Sequence, residues 1–268
     1  MLAVTTHNKL RSWRFCGQMM RARWHVKEQL AATPGLIRSV SAVASPTEFL
    51  TMTIWEDRQA MFNFMSSGAH ENVMWMFARW SASFWSMRWI PTMEEEGAWE
   101  ELSLTSLLGT GNHSWQAALP RSPQLPPSVK GSARNIGRRF IDPSGSGIYA
   151  ITALVNTSSP QCLWALLSAA RKFRHGTDHP QLLRWSIGSI EPRHFLVLTL
   201  WRDLSGSSAQ VLGELRQQLR AHWAMGWTAG EYEIGHWNGL RLRQLASVRT
   251  HEQRMRSETG EHVGSERI

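Results

Sequence analysis

Two cysteines in 268 residues are too few for a disulfide scaffold, so the fold is expected to rest on its own apolar core. No run approaches the roughly 18 uninterrupted apolar residues that a membrane-spanning helix needs. Near the start, Thr5, Thr6, His7, Asn8 and Lys9 interrupt any signal-type apolar stretch. Charged residues make up only 19%, which with 42% hydrophobic residues excludes a disordered chain. Also missing are a GxGxxG turn opening a helix, a GxxxxGK[ST] loop, HExxH, GxSxG and CxxC. Nucleotide, zinc-protease and hydrolase chemistry thereby lose their usual anchors. A soluble, cytoplasmic protein in a reducing compartment is the expectation.

Aromatic content is unevenly distributed: fifteen Trp stand against two Tyr and nine Phe, with twelve Met beside them. Indoles in such number point to an aromatic core or to a pocket for a flat apolar ligand, and Met supplies a deformable lining. The formal charge of +8 is spread along the chain, with many Arg alternating with aromatics, so nucleic acid is not the expected partner.

The sequence repeats itself. Pro34 to Asp57 (PGLIRSVSAVASPTEFLTMTIWED) lies on Pro180 to Asp203 (PQLLRWSIGSIEPRHFLVLTLWRD) without a gap, at a separation of 146 residues. Pro, Leu, Arg, Phe, Leu, Thr, Trp and Asp coincide, and the same separation pairs Cys16 with Cys162. A repeat of this length is a duplicated domain, not a solenoid unit.

Each copy reads as strand, helix, strand, strand, helix, strand. Helices are expected at Cys16 to Ala32 and Gln161 to Lys172, followed by strands at Leu36 to Ala44 and Leu182 to Ile190, then Phe49 to Trp55 and Phe195 to Trp201. Asp57 and Asp203 stand where helix N-terminal acids belong. Long helical regions are expected from Arg58 to Trp89, broken near Gly68, and from Ser207 to Trp227. Outer strands are expected at Leu2 to Thr6, Glu101 to Leu107, Ile148 to Val155 and Glu231 to Trp237. The fold class is therefore α+β, a tandem duplication of a ferredoxin-like unit closing an α/β barrel within one chain. Residues 1–108 form the first unit, 109–146 a Pro/Gly/Ser-rich linker, 147–242 the second unit and 243–268 a polar tail.

The stretches GQMMRARWHVKEQLAATPGL, TMTIWED and SSGAH resemble the dimeric α/β-barrel superfamily that includes the antibiotic-biosynthesis and haem-degrading monooxygenases. LLRWSIGSIE, FLVLTLWRD and GWTAGEYEIGHWNG are similar to the spheroidene monooxygenase family, which has two copies and uses haem. The resemblance covers about Trp13 to Trp89 and Ile148 to Arg241. It implies a haem b cofactor (iron protoporphyrin IX) with His70 as the iron ligand, at a spacing from Trp55 a few residues shorter than in the haem-degrading branch. Phe64 takes the place of an aromatic that contacts the macrocycle, with Phe where Trp is usual. Asn8 is the candidate for that branch's first-strand Asn.

The residues make a case of their own for His70. Gly68 permits a helix break, and Ala69-His70-Glu71-Asn72 can start a new turn with an imidazole beside a small residue. Met74, Trp75 and Phe77 then belong to a largely apolar helix suited to shielding a porphyrin face. A histidine at a helix start is also a common capping or surface residue. Arg21 and Arg23, or Arg79 and Arg88, are candidates for pairing with haem carboxylates. His25 is a candidate distal acid-base group, and Cys16 a thiolate ligand. His222 reads as helix packing, and His113, His175, His179 and His236 as scattered. Glu94 to Glu96 can cap a helix or face solvent. At the position equivalent to His70 the second copy has Arg216, so one haem per chain follows.

The leading expectation is a haem-dependent oxygenase that takes an apolar or aromatic small molecule in a Trp/Met-lined pocket and draws on an electron donor. The alternatives are a cofactor-independent monooxygenase and a non-catalytic carrier of haem or another lipophilic ligand. Exposed aromatics leave a homodimer open.

Overall fold

The computed structural model describes residues 1–109, 147–175, 180–202, 204 and 207–242. The expected linker, apart from Gly109, the polar tail, and His113, His179 and Asp203 lie outside the described residues.

The first unit runs β1 (Leu2–Leu10), α1 (Cys16–Ala32), β2 (Leu36–Ser45), β3 (Glu48–Trp55), α2 (Arg58–Met65), α3 (Gly68–Trp80), β4 (Ser81–Gly97) and α4 (Leu104–Gly109). The second runs β5 (Ile148–Asn156), α5 (Pro160–His175), β6 (Leu182–Glu191), β7 (His194–Arg202), α6 (Ser208–Leu219) and β8 (Trp223–Gly235). All eight strands close one antiparallel barrel in the order β1-β3-β2-β6-β7-β5-β8-β4. Within each unit the first and third strands are central, with the fourth beside the first and the second beside the third, which is the ferredoxin-like order, and the helices pack on the outer face of the sheet. The units join at a short seam, Val43 opposite Ser189, and along a long one, from Trp85 opposite Gly235 to Gly97 opposite Trp223.

The long helices expected through Trp89 and Trp227 end at Trp80 and Leu219, and strands β4 and β8 take over. The expected strand at Glu101 to Leu107 is instead a tight turn followed by α4. Both errors have one cause. Trp85-Ser-Met87-Arg-Trp89 and Trp223-Ala-Met225-Gly-Trp227 space their indoles by four, which suits a helix face and also every second residue of a strand. Burial on both sheet faces decides for strand: all six large side chains point into the barrel, each essentially inaccessible.

The tryptophans therefore fill the barrel and do not line an open ligand pocket there. Each buried indole removes 150–250 Å² from water, worth about 4–6 kcal/mol as an upper estimate. The indole N–H groups of Trp85, Trp89, Trp223 and Trp227 are satisfied, and satisfied symmetrically. Trp85 donates to Glu233 Oε1 and Trp223 to Glu95 Oε1, both at 2.8 Å. Trp89 donates to Thr5 Oγ1 at 2.7 Å and Trp227 to Thr152 Oγ1 at 2.8 Å. On the outer face Trp55 donates to Thr53 and Trp201 to Thr199. Gly97 and Gly235 end the paired strands with φ of +84° and +74°. A Cβ there would sit 2.0 Å from the carbonyl oxygen of His222 or Phe84, so only glycine fits.

Candidate functional site

Outside the barrel the two copies differ. In the second unit α5 and α6 pack directly on the sheet through Leu166, Phe173, Leu212 and Leu215, all buried. In the first unit α1, α2 and α3 stand over a cavity of about 900 Å³, within the range of small-molecule and cofactor sites. Its roof is apolar: Met19, Ala22 and Val26 from α1, Met61 and Phe64 from α2, and Val73, Met74 and Phe77 from α3. Trp55 and Trp99 are the indoles among the described lining residues, so the lining is richer in Met and Phe than in Trp.

The floor is polar, and its pattern appears only when strands are aligned. Ser86 of β4 lies opposite Thr6 of β1, Thr6 opposite Thr51 of β3, and Thr51 opposite Ser41 of β2. One row of four hydroxyls thus crosses the first sheet, with Thr6 and Thr51 hydrogen-bonded to each other. The same row in the second unit is Ala224, Ala153, Val197 and Ile187. In the next row Asn8 is 4% exposed. Its Oδ1 accepts from Ser81 Oγ at 2.6 Å, whereas its Nδ2 is buried beside the cavity without a partner among the described residues. The second copy has Val155 there. Where the first unit has a hydroxyl row and an amide, the second has aliphatic side chains packed into its core.

His70 enters from the helix layer. Asp57 caps α2 by accepting the N–H of Ala60 at 2.8 Å, α2 ends at Met65, and α3 restarts at Gly68 with φ of +60°. Gln29 of α1 holds this break: its Oε1 accepts the N–H of His70 at 2.8 Å, and its Nε2 donates to the carbonyls of Ser67 at 2.9 Å and Phe64 at 3.2 Å. The imidazole packs on Phe64, ring centroids 4.6 Å apart, and Phe64 in turn packs on Trp55. Nδ1 lies 3.2 Å from the carbonyl of Met65. A carbonyl can only accept, so Nδ1 carries the hydrogen and the neutral ring keeps a lone pair on Nε2. Burial pushes the pKa below the usual histidine value despite that hydrogen bond, so the ring is neutral at pH 7.

Four candidates from the sequence point elsewhere. The buried face of α1 is set by Met19, Ala22 and Leu30, which turns Arg21 and His25 to solvent. His25 lies instead 3.6 Å from Glu28. On α3 the inward positions are Val73 and Phe77, so Trp75, 59% exposed, and Arg79 face outward. His25 is thus no distal acid-base group, Arg21 and Arg79 reach no carboxylate in the cavity, and Trp75 shields no macrocycle. Arg88 is buried with its guanidinium over Phe62 and Tyr232. Cys16 packs among α1 and α3 residues. Glu95 caps α4, accepting the N–H groups of Leu104 and Thr105, and Glu96 pairs with Arg216 at 3.1 Å.

The cavity brings together His70, Phe64, Met74, Phe77 and Asn8 among the sequence candidates. Arg23, which donates to the carbonyl of Ser41 at 3.0 Å, and Lys27 lie along its α1 side. The second unit supplies Glu191, His194 and His222 to its far end. The hydroxyl row and Gln29 went unrecognised in the sequence: the row joins four separate strands, and Gln29 acts across 41 residues.

These residues suit a haem. A histidine whose Nδ1–H is tied to a carbonyl while Nε2 is left free has the arrangement found in iron ligands, and Arg23 and Lys27 match a carboxylate-bearing edge.

Neither a family model nor a curated protein matches the chain. Among solved structures it is similar to a Fusobacterium nucleatum protein proposed to be a monooxygenase, at 7% identity over 87% of this chain and 94% of that one, TM-score 0.34. SnoaB, a cofactor-independent oxygenase from Streptomyces nogalater, aligns at 10% identity over 32% of this chain and 86% of its own, TM-score 0.27. HapK from Hahella chejuensis aligns at 14% over 32% and 90%, TM-score 0.28. At these values the likenesses carry no chemistry; the duplicated fold and the cavity under α1, α2 and α3 rest on the chain's own residues.

Proposed function

We propose that the cavity of the first unit is the active site of a haem-dependent oxygenase acting on a flat, mainly apolar molecule with polar atoms along one edge. The observation that carries this reading is His70. Its ring is oriented by Met65, packed at a tilt on Phe64 and neutral, with the Nε2 lone pair left over in the cavity under the first unit's helices. His70 would hold the iron, Arg23 and Lys27 the haem carboxylates, and Met74, Phe77 and Phe64 the ring. Bound there, the haem supplies the iron that activates dioxygen.

The chain's own residues do the rest. The apolar roof excludes water and binds the flat face of the substrate. Hydroxyls of Ser86, Thr6, Thr51 and Ser41 meet its polar edge, and the Asn8 Nδ2–H donates to an oxygen placed near β1. The test is an absorption spectrum of protein expressed with haem supply, with haem quantified on the same sample. One haem per chain and its loss in His70→Ala are expected; a variant with normal coordination overturns the assignment.

A second reading, cofactor-free oxygenation, is favoured by the place of His70: its Nδ1 is held by the Met65 carbonyl, and it lines the same cavity as Asn8 and the hydroxyl row. A neutral imidazole in one cavity with Asn8 and a row of hydroxyls can accept a phenolic proton, leaving an electron-rich anion to react with dioxygen. Turnover by iron-free protein, lost in His70→Ala, would select this reading. Ligand binding without turnover in either form would leave a carrier.

A further inference from the structure

Three tryptophans of the first unit lie almost bare. Trp13, in the turn leading into α1, is 70% exposed, Trp24 on α1 is 67% and Trp75 on α3 is 59%. Met20 and Met76 are exposed beside them. On α1 Met20 and Trp24 stand four residues apart, with Trp13 in the turn before them, and on α3 Trp75 and Met76 lie side by side between Asn72 and Arg79, so both helices carry outward apolar side chains set among polar ones. The inward faces of α1 and α3 meet through Met19, Ala22 and Val73, so these exposed side chains belong to the layer that roofs the cavity.

Charge decides what covers such a face. The exposed ionic side chains of these segments are Arg14, Arg21, Lys27 and Arg79 against Glu28 and Glu71, and Glu28 accepts the indole N–H of Trp24 at 2.7 Å. A basic face opposed to its own copy repels itself, whereas indoles interleaved with Arg and Lys match an anionic lipid surface. Trp places its ring at headgroup depth, and Arg and Lys reach past it to phosphates. We propose that the α1/α3 face docks on anionic membrane surfaces, with the cavity roof against the bilayer. The proposal is independent of the chemistry assigned to His70. It gives an apolar ligand a route from lipid to the cavity that avoids bulk water.

The test is flotation of the full chain with vesicles of phosphatidylcholine, and of phosphatidylcholine mixed with phosphatidylglycerol, at low and high salt. Binding to the anionic vesicles that weakens with salt is expected. Trp24→Ser combined with Trp75→Ser should weaken it by roughly tenfold or more. Trp164→Ser, which removes an exposed indole of α5 in the second unit, should leave it unchanged. Circular dichroism checks that each variant is folded. Absence of vesicle binding by the natural chain overturns the proposal, as does binding indifferent to the double substitution or equally reduced by Trp164→Ser. A concentration-dependent dimer abolished by the double variant would assign the face to a second copy instead.

Discussion

Gln29 and His70, on different helices and 41 residues apart in sequence, are joined by a hydrogen bond of 2.8 Å from the His70 backbone to the Gln29 side chain. The same amide donates to Ser67 and Phe64, so one side chain satisfies both sides of the α2–α3 break. Gln29→Leu keeps the volume and removes every one of these bonds. A stability loss of about 1–3 kcal/mol is expected, together with weaker ligand binding at His70. Urea denaturation and a haem titration on the same variant check both; unchanged affinity would show that α3 holds His70 in place unaided.

The duplication was legible because 24 residues align without a gap, and with it came the helix-strand-strand middle of each unit. Strands β4 and β8 were not, because indoles four apart satisfy both periods and the deciding fact, burial on both faces, belongs to the closed barrel. One signal was present: the pattern Trp-x-Met-x-Trp occurs at 85–89 and again at 223–227, each ahead of Gly-x-Trp-x-x-Leu. Of the site, His70 could be singled out by Gly68. The arginines could not be sorted, since Arg21 and Arg23 differ only in which face of α1 meets the sheet. The hydroxyl row depends on strand register, which no local pattern encodes.

The mirrored pairs Trp223–Glu95 and Trp85–Glu233 make each carboxylate a structural acceptor. Glu95→Leu strands the N–H groups of Trp223, Leu104 and Thr105, with an expected loss of about 3 kcal/mol or more in chemical denaturation. The hydrogen bonds hold the Glu95 pKa below the usual glutamate value in spite of burial. Its contribution is therefore complete above the unfolded pKa and disappears as pH falls through the lower folded value. Glu95→Gln keeps one acceptor oxygen and should fall between the natural chain and Glu95→Leu.

His7 points into the barrel, 1% exposed, stacked on Trp237 at 4.7 Å, with Glu48 3.8 Å away and Nδ1 unpartnered. Burial lowers its pKa from 6.5 to about 4. The unfolded chain thus binds a proton that the folded one refuses between these values. Stability is unaffected above 6.5, falls as pH drops through the window, and has lost about 3 kcal/mol at its foot. The corresponding residue of the second unit is Leu154, so His7→Leu is a substitution this fold already accommodates. Denaturation at a series of pH values should show that part of the slope missing in the variant; a slope unchanged by the substitution would move the acid sensitivity to other groups.

The difference between the two copies can be tested by making the first resemble the second. Thr51→Val and Ser86→Ala install the residues of the second unit without filling the cavity, so the fold should stand and the polar edge of the ligand should lose partners. About 1 kcal/mol per lost hydrogen bond corresponds to roughly fivefold weaker binding. Asn8→Val, the third such exchange, removes a buried donor that has no partner among the described residues. Its removal is expected to cost less stability than the Ser81 bond alone would suggest, because an unsatisfied amide disappears with it. Turnover should nevertheless fall further than in either hydroxyl variant. A large loss of turnover beside a small loss of stability would identify Asn8 as a group kept for the ligand; a stability loss as large as the broken Ser81 bond implies, with turnover falling only in step, would return it to the core.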